Sequence, residues 1–195
     1  MATTKKSLAE QALRIIQGGD VSDDSSIDIR EIMLFIEQER DMLMKQTFME
    51  YKKIGEHEIT GDFLSTYNLP SENNQVILYH HPVNLPNGAG VFSVKSGQDF
   101  YIRMPSSNGM YNKAISKTPR KGYNLIGDTL TFTPTISDGV NFTVQLVVSS
   151  KSLGETDAFP IPADFESTII RRAVELYTVM EAAVEDNQND REENQ

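Results

Sequence analysis

The side chains best suited to acid–base chemistry are three histidines, His57, His80 and His81. Because His80 and His81 are adjacent, a strand would point their side chains to opposite faces, so they are poorly placed to share one metal ion. The sequence has no nucleophile-elbow motif, no glycine-rich phosphate loop ending in lysine, and no histidine pair at zinc spacing. We therefore predict a protein that is not an enzyme, with no catalytic residues and no cofactor. A hydrolase with an unrecognised site is the enzymatic alternative.

One acidic and hydroxyl-rich segment, residues 20–28, carries oxygen atoms that could in principle hold a calcium ion. Its spacing does not match a helix–loop–helix calcium site, because the expected glycine and the final glutamate are not in place. The chain also has no cysteine, which excludes disulfides and thiolate metal ligands. We predict no metal site, and interpret residues 20–28 as a solvated connector that caps the next helix.

Basic residues cluster in one segment, residues 105–122, which is rich in Ser, Asn, Gly and Lys and is predicted to be a long exposed loop. The cluster consists of Lys113, Lys117, Arg120 and Lys121. It is either an ordinary solvated loop or a contact for an acidic partner surface or passing nucleic acid. Because no aromatic side chain lies between Lys117 and Lys121, the stacking of nucleic-acid bases is not indicated.

The net charge of −10 is concentrated at one end, since residues 157–195 hold ten acidic and three basic side chains. Tight wrapping of nucleic acid is therefore not expected, because neutralising phosphates requires clustered Lys and Arg. No apolar run approaches the length of a membrane span, and the first residues carry no apolar signal core. We expect a soluble protein that is made in the cytoplasm and does not bind membranes.

Apolar residues at three- and four-residue steps predict three helices, over residues 4–17, 28–54 and 162–184. Asp28 and Glu31 have the spacing of a capping box at the start of the second helix, which has a polar break at residues 37–41. In the last helix we expect Ile169 and Leu176 to pack against the second helix around Ile36 and Leu43.

The apolar stripe of the last helix is wider than one neighbour needs, because Ile170, Val174 and Tyr177 lie beside its main row. Apolar side chains beyond the main row form an additional surface, which a further neighbour must bury. We therefore predict an interface between subunits at Ile170, Val174 and Tyr177, with Lys117, Arg120 and Lys121 as further candidate contacts.

Between the second and last helices, short apolar runs alternate with turn residues, a pattern typical of strands. The predicted strands are 76–79, 90–95, 100–104, 123–126, 129–132 and 140–148. The fold class is thus α+β, an antiparallel bundle of long helices with an inserted β-rich block that forms a small sandwich or a barrel. The helical domain comprises residues 1–55 and 157–186, the inserted domain residues 56–156, and an acidic tail, 187–195, is expected to be disordered.

Five motifs together resemble one class of viral proteins. They are AEQALRIIQGGD at 9–20, DDSSIDIRE at 23–31, ITGDFLSTY at 59–67, LPN at 85–87 and FPIPADFE at 159–166. The set is similar to the virion neck, or ring, proteins of crAss-like and other short-tailed bacteriophages, in the head–tail adaptor (tail tubular) class.

This resemblance implies a non-enzymatic structural subunit that forms a cyclic homo-oligomer, a dodecamer matching the portal. The ring would contact the portal and other neck or tail rings, with genomic DNA passing through its lumen. The protein would be assembled in the host cytoplasm and located in the neck or tail of the virion. The alternative is a host-interaction or ligand-binding module of the virion, carried by the β-rich block.

Overall fold

A computed structural model describes residues 3–19, 27–53, 61–86, 89–104 and 121–192, with the side chains of residues 183–192 excepted. The chain forms two compact units. One, the helical unit, combines Met1–His57 with Leu153–Gln195. The other, the barrel unit, is Glu58–Ser152.

The helical unit contains three helices, α1 (Lys5–Ile16), α2 (Ile29–Lys53) and α3 (Ala163–Glu192). Thr4 and Ser7 form a reciprocal capping box that satisfies free N–H groups at the start of α1. At the start of α2, Asp28 Oδ1 accepts a hydrogen bond of 2.9 Å from the N–H of Arg30. Each of the three helices packs against both of the others.

The predicted antiparallel bundle of long helices is not supported. The helices have 12, 25 and 30 residues, so one of the three is much shorter than the other two. Although α1 is short, it contributes to the core of the helical unit, because its Leu8, Ala9 and Ala12 are completely buried. Small alanine side chains allow close approach of the neighbouring helices, and a cluster of three helices shares one core.

The last helix also extends further than the sequence indicated. It runs to Glu192, whereas disorder was predicted from residue 187. This stretch contains neither proline nor glycine, and adding residues to a formed helix costs far less than nucleating one. A helix can therefore continue through a polar segment that has no apolar residues to anchor it.

The barrel unit is a seven-stranded sheet that nearly closes on itself. Its strands are β1 (Ser65–Pro70), β2 (Gln75–Ile77), β3 (Val91–Ser96), β4 (Asp99–Arg103), β5 (Gly122–Ile126), β6 (Thr129–Thr133) and β7 (Asn141–Leu146). The order is β1-β7-β3-β4-β5-β6-β2, and β4 with β5 is the one parallel pair among these strands. The barrel-like form of the predicted β-rich block is confirmed.

Alternate side chains along the strands fill the barrel. The rings of Phe132 and Phe142 stack with centroids 4.3 Å apart, and Tyr101 meets both of them at steep angles. Leu69 and Val144 are buried beside them, as the two-residue period of a strand requires. Strand β1 was missed by the sequence analysis, because Asn68 and Pro70 lower its strand propensity.

Candidate functional site

Residues 37–41, the polar break predicted in the middle of α2, form part of a largely buried cluster of paired charges in the helical unit. Arg40 is fully buried, and its Nε and Nη2 donate hydrogen bonds of 3.3 and 3.0 Å to the carbonyl oxygen of Pro160. Its Nη1 pairs with Asp41 at 3.0 Å, and its guanidinium lies 5.6 Å from the ring centroid of Phe159. Burial lowers the pKa of Arg40, and Asp41 opposes that effect. The cluster thus fixes the segment that leads into α3.

Two further ion pairs join α2 to the other helices. Lys5 Nζ of α1 lies 2.5 Å from Glu37 and donates a second bond of 2.6 Å to the carbonyl of Leu153. Arg172 of α3 lies 3.3 Å from Glu39. Lys5, Glu37 and Glu39 are largely buried, and Arg172 is partly exposed, so each pair ties α2 to another helix of the unit.

The predicted interface residues of α3 lie mainly inside the helical unit. Ile170 and Tyr177 are buried, and Val174 is half-buried. Tyr177 donates a hydrogen bond of 2.7 Å to Glu181, and burial together with this bond raises the pKa of Tyr177 to about 12. Ile170 and Tyr177 are therefore mostly covered within the helical unit, and the subunit interface at these residues stays a prediction.

Leu176 does not occupy the core position predicted for it. Its side chain is 37% exposed, whereas Ile169, Ile36 and Leu43 are buried as predicted. Leu176 lies at the border of the stripe, where one side of the helix faces solvent. The expectation that it packs in the core beside Leu43 is wrong for this reason.

An exposed apolar surface runs along α2 and α3 at this border. We call it the α2–α3 surface and define it by Met42, Leu176 and Val179, which are 40%, 37% and 68% exposed. It forms an open groove of about 370 Å³, whose rim carries polar side chains. These are Glu39, Gln46, Arg172 and Glu175. An apolar strip with a polar rim is typical of a surface that a partner covers.

A second exposed apolar patch lies on the barrel unit. We call it the β4 patch and define it by Phe100 and Ile102, which are 68% and 49% exposed. These two residues alternate with Tyr101, whose ring packs inside the barrel. Their side chains therefore share the outer face of β4. Lys95 of β3 is the register partner of Phe100, so a basic side chain borders the patch.

Of the basic candidates, Lys113, Lys117 and Arg120 lie outside the described residues. Lys121 is described and forms an exposed ion pair with Asp99. The hydrogen bond to Asp99 raises the pKa of Lys121. Because both side chains are open to solvent, the pair contributes little to stability.

The histidines offer no assembled catalytic group among the described residues, and His57 lies outside them. His80 Nδ1 lies 3.0 Å from the carbonyl oxygen of Ser152, which requires that nitrogen to carry a proton. His81 Nδ1 pairs with Asp128 at the surface, where both side chains are about half exposed. No cluster of three or more His, Cys, Asp or Glu side chains suited to a metal ion occurs in the described part of the chain.

Comparisons with known proteins give no family for this chain, since neither a protein-family model nor a curated protein sequence matches it. Within the described ranges, none of the helices has the length and apolar character needed to cross a membrane.

Proposed function

We propose that the chain is a non-enzymatic structural subunit of a bacteriophage head–tail connector, a ring below the portal. In this proposal twelve copies form a closed ring around the DNA channel, in the neck of the virion. The portal and the adjoining neck or tail rings are its neighbours. The similarity of the sequence motifs to short-tailed phage ring proteins supports this assignment.

The observation that carries the proposal is a pair of unlike apolar patches on one chain. The α2–α3 surface belongs to the helical unit, and the β4 patch belongs to the barrel unit. A ring with more than two subunits needs two different surfaces on each subunit, because every copy contacts its neighbours head-to-tail. Two separate exposed patches meet that requirement, whereas a twofold dimer needs only one self-complementary patch.

The charge distribution is compatible with a DNA conduit. Ten acidic and three basic side chains lie in residues 157–195, and like charge keeps a duplex from adhering to a wall. This feature would suit a lumen through which DNA passes without binding.

The proposal is tested by the mass of the assembled protein. Native mass spectrometry and negative-stain electron microscopy of the full chain, alone and with portal, should detect closed rings. Val179→Asp should abolish them, because an unpaired carboxylate is costly at a buried contact. Since Val179 is 68% exposed in the subunit, this variant should keep its circular dichroism spectrum and melting temperature.

The matched control is Ile15→Asp, which changes an apolar side chain of α1 that is 59% exposed and lies outside the α2–α3 surface. It should fold and assemble like the unmodified protein. Phe100→Asp tests the β4 patch in the same way and should also prevent ring formation. A folded Val179→Asp variant that still forms complete rings would remove the α2–α3 surface from the interface, and monomers under all conditions would refute the ring.

The alternative function, a host-interaction or ligand-binding module, is favoured by an open groove in the barrel unit, between β1 and β2. The two functions are compatible, since a ring subunit can carry a binding site on its β-rich unit. Each is therefore tested separately: a fixed position beneath the portal in purified virions tests the ring, and ligand binding to the groove tests the binding module.

A further inference from the structure

Among the described strands of the barrel unit, β1 and β2 are neighbours that do not form a hydrogen-bonded strand pair. These strands are the two ends of the sheet order, and they lie next to each other. A groove of about 330 Å³ lies between them, and we call it the seam groove. Its lining combines apolar and polar groups from both strands and from the turn that joins them. The lining residues are Leu69, Pro70, Glu72, Asn73, Gln75, Ile77 and Tyr79.

Pro70 explains why the seam stays open. Glu72 and Gln75 exchange two backbone hydrogen bonds of 2.8 and 2.9 Å, which starts a hairpin. Along an antiparallel pair of strands, hydrogen-bonded residue pairs alternate with pairs that are not hydrogen-bonded. After Glu72 and Gln75, the next hydrogen-bonded pair would therefore be Pro70 with Ile77. Proline has no N–H to donate, and this pair is absent from the strand pairing of the described residues. Beyond the Glu72–Gln75 bridge the two strands are therefore unpaired, and the backbone of Ile77 that faces β1 has no strand partner.

The turn at the end of the groove is rigid. Asn73 and Asn74 both have positive φ, 51° and 63°, as a two-residue type I′ turn requires. The Asn74 side chain donates to the carbonyl of Phe132 at 3.0 Å and accepts from the N–H of Ile136 at 2.9 Å. Because hydrogen bonds to the rest of the barrel already order the turn, ligand binding in the groove would not carry the entropic cost of ordering it.

Three planar polar side chains reach the groove from the turn and β2. They belong to Glu72, Asn73 and Gln75, which are all exposed. Their side chains make no hydrogen bond among the described residues. An amide group offers donors and acceptors side by side, and a carboxylate offers two acceptor oxygens. This set matches a ligand with many neutral hydroxyl groups.

An aromatic ring forms the far end of the groove. Tyr79 is 70% exposed, so most of its ring is open to solvent. Its ring meets that of Tyr67 edge-to-face, with centroids 6.4 Å apart and planes at 85°. This contact fixes the orientation of the Tyr79 ring beside the groove.

We propose that the seam groove binds a neutral saccharide. The C–H face of a sugar ring would lie against Tyr79, and its hydroxyl groups would bond to the side chains of Glu72, Asn73 and Gln75. Glu72 is the one charged residue in the lining, so the groove would repel anions, and a single carboxylate is a poor metal site. A volume of about 330 Å³ is at the lower limit for ligand pockets, which fits one or two sugar rings.

The test uses the full chain and a panel of neutral mono- and disaccharides. Nuclear magnetic resonance titration should detect millimolar binding, with shifts confined to residues 69–79. In parallel, an array of immobilised polysaccharides built from the same sugars distinguishes a free sugar from a surface glycan as the source. Tyr79→Ala should weaken binding by about tenfold, Tyr79→Phe should retain it, and Gln75→Ala should weaken it.

Ile126→Ala is the matched control, because Ile126 is exposed to the same degree, 69% against 70%, on β5 of the barrel and outside the β4 patch. It should leave saccharide binding unchanged. The proposal is overturned if neither the free sugars nor the immobilised glycans bind, or if Tyr79→Ala and Ile126→Ala weaken binding equally. Failure here would leave the ring unaffected, since the ring is measured by mass and the groove by sugar titration.

Discussion

Replacing Arg40 with alanine should destabilise the helical unit more than any surface change. The substitution removes both hydrogen bonds to the carbonyl of Pro160 and the ion pair with Asp41. It also empties the space of a fully buried side chain, and a substitution that leaves a cavity in a core costs about 2–5 kcal/mol. The Pro160 carbonyl would also lose two donors, and an unsatisfied buried acceptor costs about 1–3 kcal/mol. These contributions overlap, so we expect a total loss of about 4 kcal/mol.

The assay is urea unfolding followed by far-ultraviolet circular dichroism, which reports mainly on the helices. Because the chain has two compact units, two transitions can occur, and the helical one should move to lower urea. Arg171→Ala is the control, since Arg171 makes an exposed pair with Glu175 at 3.8 Å. It should cost less than about 1 kcal/mol. A loss below about 1 kcal/mol for Arg40→Ala would refute the reasoning that this cluster holds the segment before α3.

Two further predictions concern burial. Ile169→Ala should cost about 2–5 kcal/mol in the same urea assay, whereas Leu176→Ala, at a position 37% exposed, should cost less than half as much; equal losses would contradict the placement of Leu176. Burial raises the pKa of Tyr123 to about 12, above the value near 10 of an unfolded chain. The stability linked to Tyr123 is therefore fully present below about pH 10 and is lost as pH rises towards 12. Tyr123→Phe should reduce this alkaline loss of stability by about 2 kcal/mol, as measured by denaturant unfolding at several pH values. A variant with the same pH dependence as the unmodified protein would contradict this prediction.

Local signals in the sequence were sufficient to place the helices and most strands. Gly18 and Gly19, both with positive φ, follow the end of α1, and Gly127 forms the turn between β5 and β6, as expected from the sequence. Strand β1 was missed because its polar residues face outward and its proline resembles a loop signal. Asn73-Asn74 also carries a weaker turn signal than Asn-Gly, although asparagine tolerates positive φ.

The function of the polar break in α2 could not be predicted from the sequence. Arg40 bonds to Pro160, 120 residues further along the chain, and no local pattern reports a contact at that distance. A run of charged residues inside a helix usually marks a solvated face. Only the packing of α3 against α2 reveals that these charges are buried and paired.

The width of the apolar stripe on α3 did carry information about a second neighbour. Within the helical unit, α3 packs against both α1 and α2, so its apolar stripe has two neighbours in the chain itself. Two neighbours inside the chain account for the burial of Ile170 and Tyr177. A charged substitution at Val174 would perturb the fold as well as the ring, because that position is half-buried in the helical unit. Val179, on the exposed border of the stripe, separates the two effects.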